Sequence, residues 1–278
     1  MVRLGETTGL RIANAVFYVL MVAANFYIEM LPLNQITTKS ISDANTTLLT
    51  PPGFTFMIWG AIYTGLSLYI LYQFGLFSRK REATNPDLIR ALGSFFMISC
   101  FLNVFWLVVW HYQQLELAFL LIFTLWITLL FAYSSIRKEI REPKEKWLVQ
   151  YPIGMYLSWI TTATIVNALV VLYKYRPDLL DIPQTLWAGA ALAVIFGMSM
   201  YYVIKHKDYI YGITSMWIIG GLMFVYYDRI FRDDTGTVIF LLLSFVAVVL
   251  FFTILIAGWL QHNKTQIPES SRNRDFYN

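Results

Sequence analysis

The sequence predicts an all-α fold: a polytopic membrane helical bundle of about eight transmembrane helices, with the N- and C-termini cytoplasmic. Three observations carry this. Of 278 residues, 58% are hydrophobic and only 14% are charged, against roughly 25% charged in soluble domains. The apolar residues fall into eight runs, each long enough to cross about 30 Å of hydrocarbon at about 1.5 Å per residue. Finally, with the N-terminus placed inside, sixteen of the 21 Lys and Arg fall in cytoplasmic segments and five outside, the bias that orients membrane proteins. This composition excludes a disordered chain, a nucleic-acid-binding protein and an ordinary soluble domain.

The first run, 9–31, is long enough to span and is followed by no small-residue cleavage site, so it reads as a helix rather than a signal peptide. The second, 51–76, opens on Pro51-Pro52, favourable where a helix N–H would go unpaired anyway. The remaining runs are 88–112, 114–136, 147–173, 185–205, 208–228 and 236–260. Connections are short except for Pro32–Thr50, rich in Thr, Ser and Asn, which reads either as a lid over whatever lies beneath or as a plain connector. The tail after Gln261 is short and polar and reads as flexible and cytoplasmic. Trp110, Tyr112, Trp147, Trp187, Tyr201, Tyr202, Tyr226, Tyr227 and Trp259 sit near span ends, where interfacial belts form. The one cysteine, Cys100, permits no internal disulfide and reads as a packing residue. Gly189, Ala193 and Gly197 form a small-residue stripe that suits packing within the bundle, with a homodimer face as the alternative.

No Asp, Glu, Lys or Arg lies deep in a span, which argues against a proton relay or ion-coupling site. Glu29, His111 and Glu116, at outer span ends, read as solvated interfacial groups; a metal or proton site is the alternative. No metal and no cofactor is expected. The polar groups inside the membrane are amides. Asn25, Asn103 and Asn167 lie about 8, 13 and 9 Å below the outer ends of their helices, with Trp59 and Tyr63 about 12 and 18 Å down theirs. An amide in hydrocarbon needs a partner. This layer therefore reads either as interhelical hydrogen bonding or as the lining of a shared pocket.

Three segments carry a resemblance. Span 2 reads Pro51-Pro52-Gly53-Phe54-Thr55-Phe56-Met57-Ile58-Trp59-Gly60-Ala61-Ile62-Tyr63. Span 3 contains Leu102-Asn103-Val104-Phe105-Trp106. Span 5 reads Tyr156-Leu157-Ser158-Trp159-Ile160-Thr161-Thr162-Ala163-Thr164-Ile165-Val166-Asn167. Together and in this order they resemble the translocator protein / tryptophan-rich sensory protein (TspO/MBR) family. The resemblance covers roughly residues 9–174. It implies a TspO-like five-helix membrane core (1–176), followed by three additional transmembrane helices (177–261) and a tail (262–278). Departures exist: Phe54 stands where the family usually has Trp, Leu107 replaces the proline that commonly follows the span 3 Trp, and Pro152 stands near a proline position of span 5.

Members of that family bind porphyrins, sterols and synthetic aromatic ligands among five helices beneath the first loop. The resemblance therefore implies ligand contacts for Trp59, Tyr63, Asn103, Trp106, Trp159, Ala163 and Asn167; the depth argument adds Asn25. The expected function is a membrane receptor or carrier for a flat hydrophobic small molecule (tetrapyrrole-, sterol- or isoprenoid-like) held in the outer half of the bilayer. A secondary transporter or permease and a structural scaffold are the alternatives. No HExxH, GxSxG or paired acids appear, so an enzyme is not expected. The expected partners are the lipid bilayer, a hydrophobic ligand such as a porphyrin and a second copy in a homodimer, with no nucleic acid. The expected location is a bacterial plasma membrane.

Overall fold

The computed structural model describes residues 7–77, 84–175, 182–227, 229–230 and 232–266; these are helical, with no strand among them. The elements are α1 (Thr8–Met30), α2 (Thr38–Ala44), α3 (Ile58–Gln73), α4 (Pro86–His111), α5 (Leu115–Glu139), the short α6 (Pro143–Glu145), α7 (Tyr151–Tyr175), α8 (Gln184–His206), α9 (Tyr209–Tyr227) and α10 (Asp234–Gln266). A 3₁₀ turn, Gly53–Met57, leads into α3, and a π turn, Lys146–Gln150, leads into α7. Eight helices, extended by those turns, are long and apolar enough to cross a membrane. They match the eight expected spans in order, with ends displaced by a few residues. The largest displacement is at α10, which runs on to Gln266. The expected tail beyond that residue lies outside the described residues.

Local chemistry explains the clearest boundary. Asn85 caps α4 by accepting hydrogen bonds from the Asp87 and Leu88 N–H groups, and Pro86 follows at the first helical position, where the absent N–H costs nothing. α4 and α5 are joined by a tight turn in which Gln113 takes a left-handed conformation (φ 55°).

Helix contacts form two rings that share one helix. α1, α3, α7, α5 and α4 close the first ring, and α7, α8, α10 and α9 close the second. α7 is accordingly buried along most of its length. At the end of the first ring nearer the N-terminus the polar groups are tied across helices. Arg11 donates to the Gln73 carbonyl (2.8 Å) and to Thr84 (3.1 Å). Asn14 donates to Tyr69 and to Gln73. Tyr72 donates to Glu145 (2.9 Å) and accepts from the Asn85 N–H (3.1 Å).

Between the rings, at the same end, Asp208 is fully buried. It accepts from the Tyr133 hydroxyl (2.7 Å) and the Tyr211 N–H (3.0 Å), and Gln150 donates to that same hydroxyl. Burial lifts this carboxyl from its ordinary 3.8 to about 6. Asp208 escaped the sequence reading. Its only signal is an acid immediately before an apolar run, the position of a helix N-cap.

Several expectations are corrected. His111 is fully buried rather than solvated, with its Nδ1 2.8 Å from the Leu107 carbonyl. Glu29 and Glu116 are exposed, and no metal-holding cluster exists among the described residues. Trp110, Tyr202 and Tyr226 are buried rather than interfacial. Each has a local reason: Trp110 donates to the Thr38 carbonyl, Tyr202 stacks on Tyr211 at 4.2 Å, and Tyr226 donates to the Leu48 carbonyl. A Cβ added at Gly189 or Gly197 would meet nothing within 4 Å among the described residues and Ala193 is exposed, so that stripe is not packed against them. Cys100 is buried as expected.

Candidate ligand-binding site

The first ring opens, at the end away from the N-terminus, into two adjoining cavities. The smaller, about 50 Å³, is bounded by the outer halves of α3, α4, α5 and α7 and by α2. The larger, about 400 Å³, lies between α1, α2, α3 and α4. Thr38, Phe56, Trp59 and Trp106 line both and form the partition between them.

Helical spacing gathers the lining residues. Trp59 and Tyr63 are one turn apart on α3 and stack at 5.3 Å, as i,i+4 neighbours on a helix face do. Trp159, Ala163 and Asn167 repeat at the same interval along α7 and all line the smaller cavity. Trp106 and Trp110 stack at 5.6 Å on α4. Across helices the rings meet edge to face: Trp59 with Trp159 at 6.1 Å, Trp59 with Tyr156 at 5.9 Å, and Phe56 with Trp159 at 5.6 Å. This arrangement suits the quadrupoles of the rings.

The amides use both readings open to them. Asn25 donates to Asn103 (2.8 Å), and Asn103 donates to the Tyr156 hydroxyl (3.2 Å), so α1, α4 and α7 are linked in one chain. Trp106 donates to Asn167 (3.4 Å). Such bonds contribute about 0.6–2 kcal/mol each in a membrane. Asn25 also lines the larger cavity with Tyr63, and Asn167 lines the smaller. Asn103 lines neither; it stands behind the wall and holds Asn25 and Tyr156.

Some lining residues were not among the residues singled out from sequence. Phe56 and Pro51 belong to the strip before α3, Thr38, Lys39 and Ser42 to α2, and Trp110 had been read as a belt residue. Glu29, Lys39 and Asn25 give the larger cavity its polar lining. There Thr38 donates to Glu29 (3.1 Å) and Lys39 pairs with Asp43. The smaller cavity is almost wholly apolar, and its Thr162 hydroxyl has no partner among the described residues. Indole faces, a few amide and hydroxyl handles and a polar mouth can hold an apolar body by its faces and orient one polar group.

A family model described as TSPO-like protein matches residues 11–256. The chain belongs to this TSPO-like family. It is an integral multi-pass membrane protein of the TSPO type. The match runs past the five front spans through α8 and α9 and into α10, whereas the resemblance drawn from motifs stopped near 174. In this TSPO-like chain the second ring is thus part of what the family model describes. No curated protein and no solved structure matches the chain.

Proposed function

We propose that this TSPO-like protein is a non-enzymatic membrane receptor or carrier that binds a flat hydrophobic small molecule, tetrapyrrole-, sterol- or isoprenoid-like, in the outer half of a bacterial plasma membrane. The observation that carries the reading is the pair of cavities sharing Trp59, Phe56 and Trp106 as a common wall. A cavity of about 400 Å³ falls in the range of small-molecule sites, which are mostly apolar with a few placed polar groups. The ligand's apolar body lies against the indoles, and its polar end faces Asn25, Glu29 and Lys39.

The test is a titration of purified protein with protoporphyrin IX, followed by the shift of the porphyrin absorbance band. Wild-type protein shifts the band saturably. Trp59→Ala and Trp159→Ala each weaken binding about tenfold, equivalent to about 1.4 kcal/mol. Unchanged affinity in both variants overturns the assignment of the pocket.

A further inference from the structure

Helix α9 contributes no residue to either cavity, yet it grips the strip that walls them. Along Pro51–Met57, alternate side chains take opposite sides. Phe56 turns to the cavities and meets Trp159. Phe54 turns to α9, where it meets Trp217 at 6.0 Å and Phe224 at 5.4 Å, both edge-on. Between them Thr55 is fully buried. Its carbonyl accepts from the Trp217 indole N–H (3.0 Å). Its methyl presses on Gly221, where an added Cβ would fall well inside van der Waals contact of Thr55 Cγ2 and 3.4 Å from Pro52 Cδ. Trp217, Gly221 and Phe224 repeat at the spacing of one helix face. Two residues beyond Phe224, Tyr226 donates to the carbonyl of Leu48, which precedes the strip (2.8 Å).

We propose that the Trp217–Gly221–Phe224 face of α9 is a positioning surface for the binding cavity. It holds the Pro51–Met57 strip so that Phe56 sits in the partition, and it thereby sets ligand affinity from the second ring. This rests on the cavities being the ligand site. The buried contact between Thr55 and Gly221 is the reason α9 matters: a close-packed contact transmits a displacement to its neighbours.

The experiment uses the full chain in detergent with two readouts. The first is affinity for protoporphyrin IX. The second is ligand-free: the rate at which a maleimide labels Ser42→Cys, a reporter lining the smaller cavity, with the parent and its buried Cys100 as the blank. Gly221→Ala is compared with Gly212→Ala, a control on the same helix whose added Cβ would meet Val203 at 2.6 Å and Ile254 at 3.0 Å. Gly221→Ala changes both affinity and labelling rate about fivefold or more, the lower end of ordinary coupling between sites. Trp217→Phe keeps an aromatic ring, loses the donor and changes both about threefold; it carries the test if Gly221→Ala does not fold. Gly212→Ala lowers the melting temperature but leaves both readouts within about twofold. Equal responses from Gly221→Ala and Gly212→Ala overturn the proposal. A parent that does not bind protoporphyrin defeats the functional reading, and the labelling rates then support or overturn the positioning role alone.

Discussion

The two ends of the five-helix ring are built on opposite plans. At the end nearer the N-terminus, Tyr69, Tyr72, Tyr133 and Phe96 are fully buried, and each of the three hydroxyls has a named partner. At the outer end, equally large rings meet edge to face at 5–6 Å and leave two voids between them. The roof there is a two-turn helix and a 3₁₀ strip rather than a span. Unfilled space costs packing energy, so the outer layer is the part of the ring not optimised for stability. The closed end holds the helices in register, and the open end is free to accept a guest.

This contrast places the largest expected stability effects at the closed end. Asp208 titrates at about 6 in the folded protein against an ordinary 3.8, because burial penalises its charge. A raised carboxyl pKa means that the folded state holds the proton more tightly than the unfolded one. The contribution of Asp208 to stability is therefore greatest below about pH 4 and is lost as pH rises through 6, by up to about 3 kcal/mol. The change in melting temperature from pH 7.5 to pH 5 is expected to be more favourable in wild-type protein than in Asp208→Asn, because only the wild type carries this carboxyl. Parallel pH profiles for the two proteins would break the assignment.

Gly154→Ala is next: the new Cβ would collide with the Asp208 carboxylate, at about 2 kcal/mol. Its melting temperature falls while protoporphyrin affinity stays within about twofold, since the site is at the other end. Tyr72→Phe follows at about 1.5 kcal/mol, because Glu145 and the Asn85 N–H each lose a buried partner. Denaturant or thermal melts check both. A loss of affinity in either variant matching that of Trp59→Ala would show the two ends to be coupled and the contrast to be false.

The eight spans were legible because an apolar run long enough to cross a bilayer has few alternative readings. Much of the outer layer was legible too. Helical depth put Asn25, Asn103, Asn167, Trp59 and Tyr63 in one layer, and the resemblance to the TspO/MBR family added Trp106, Trp159 and Ala163. What spacing cannot show is which side of a non-helical strip faces inward. Phe56 lines both cavities while Phe54, two residues earlier, faces α9, and both are phenylalanines in the same turn. Nor does a position near a span end reveal burial. Trp110 and Tyr226 look like belt residues, yet α2 and the first loop cover them by offering the Thr38 and Leu48 carbonyls. His111 shows the same blindness: its burial depends on tertiary neighbours. The grip of α9 on Thr55 joins residues 162 positions apart, a pairing no local pattern encodes.

Trp106→Phe is the smallest and sharpest test of the contrast. Trp106 lines both cavities, stacks on Trp110 and donates to Asn167 over 3.4 Å. Phenylalanine keeps an aromatic face toward Trp110 and removes the donor, leaving Asn167 with its Ala163 carbonyl acceptor. The bond is long and lies beside a void, so the cost is about 0.6 kcal/mol, the average for such bonds between membrane helices. Ligand affinity then moves by less than about threefold, because the flat face survives. The comparison is with Tyr72→Phe, which also deletes one polar group from an aromatic side chain, but in the closed layer where both partners are buried. If the open layer is slack, thermal melts show Trp106→Phe well above Tyr72→Phe. If the two variants lose equal stability, the outer rings are as tightly constrained as the inner ones, and the cavities are fixed packing gaps rather than space held ready for a guest.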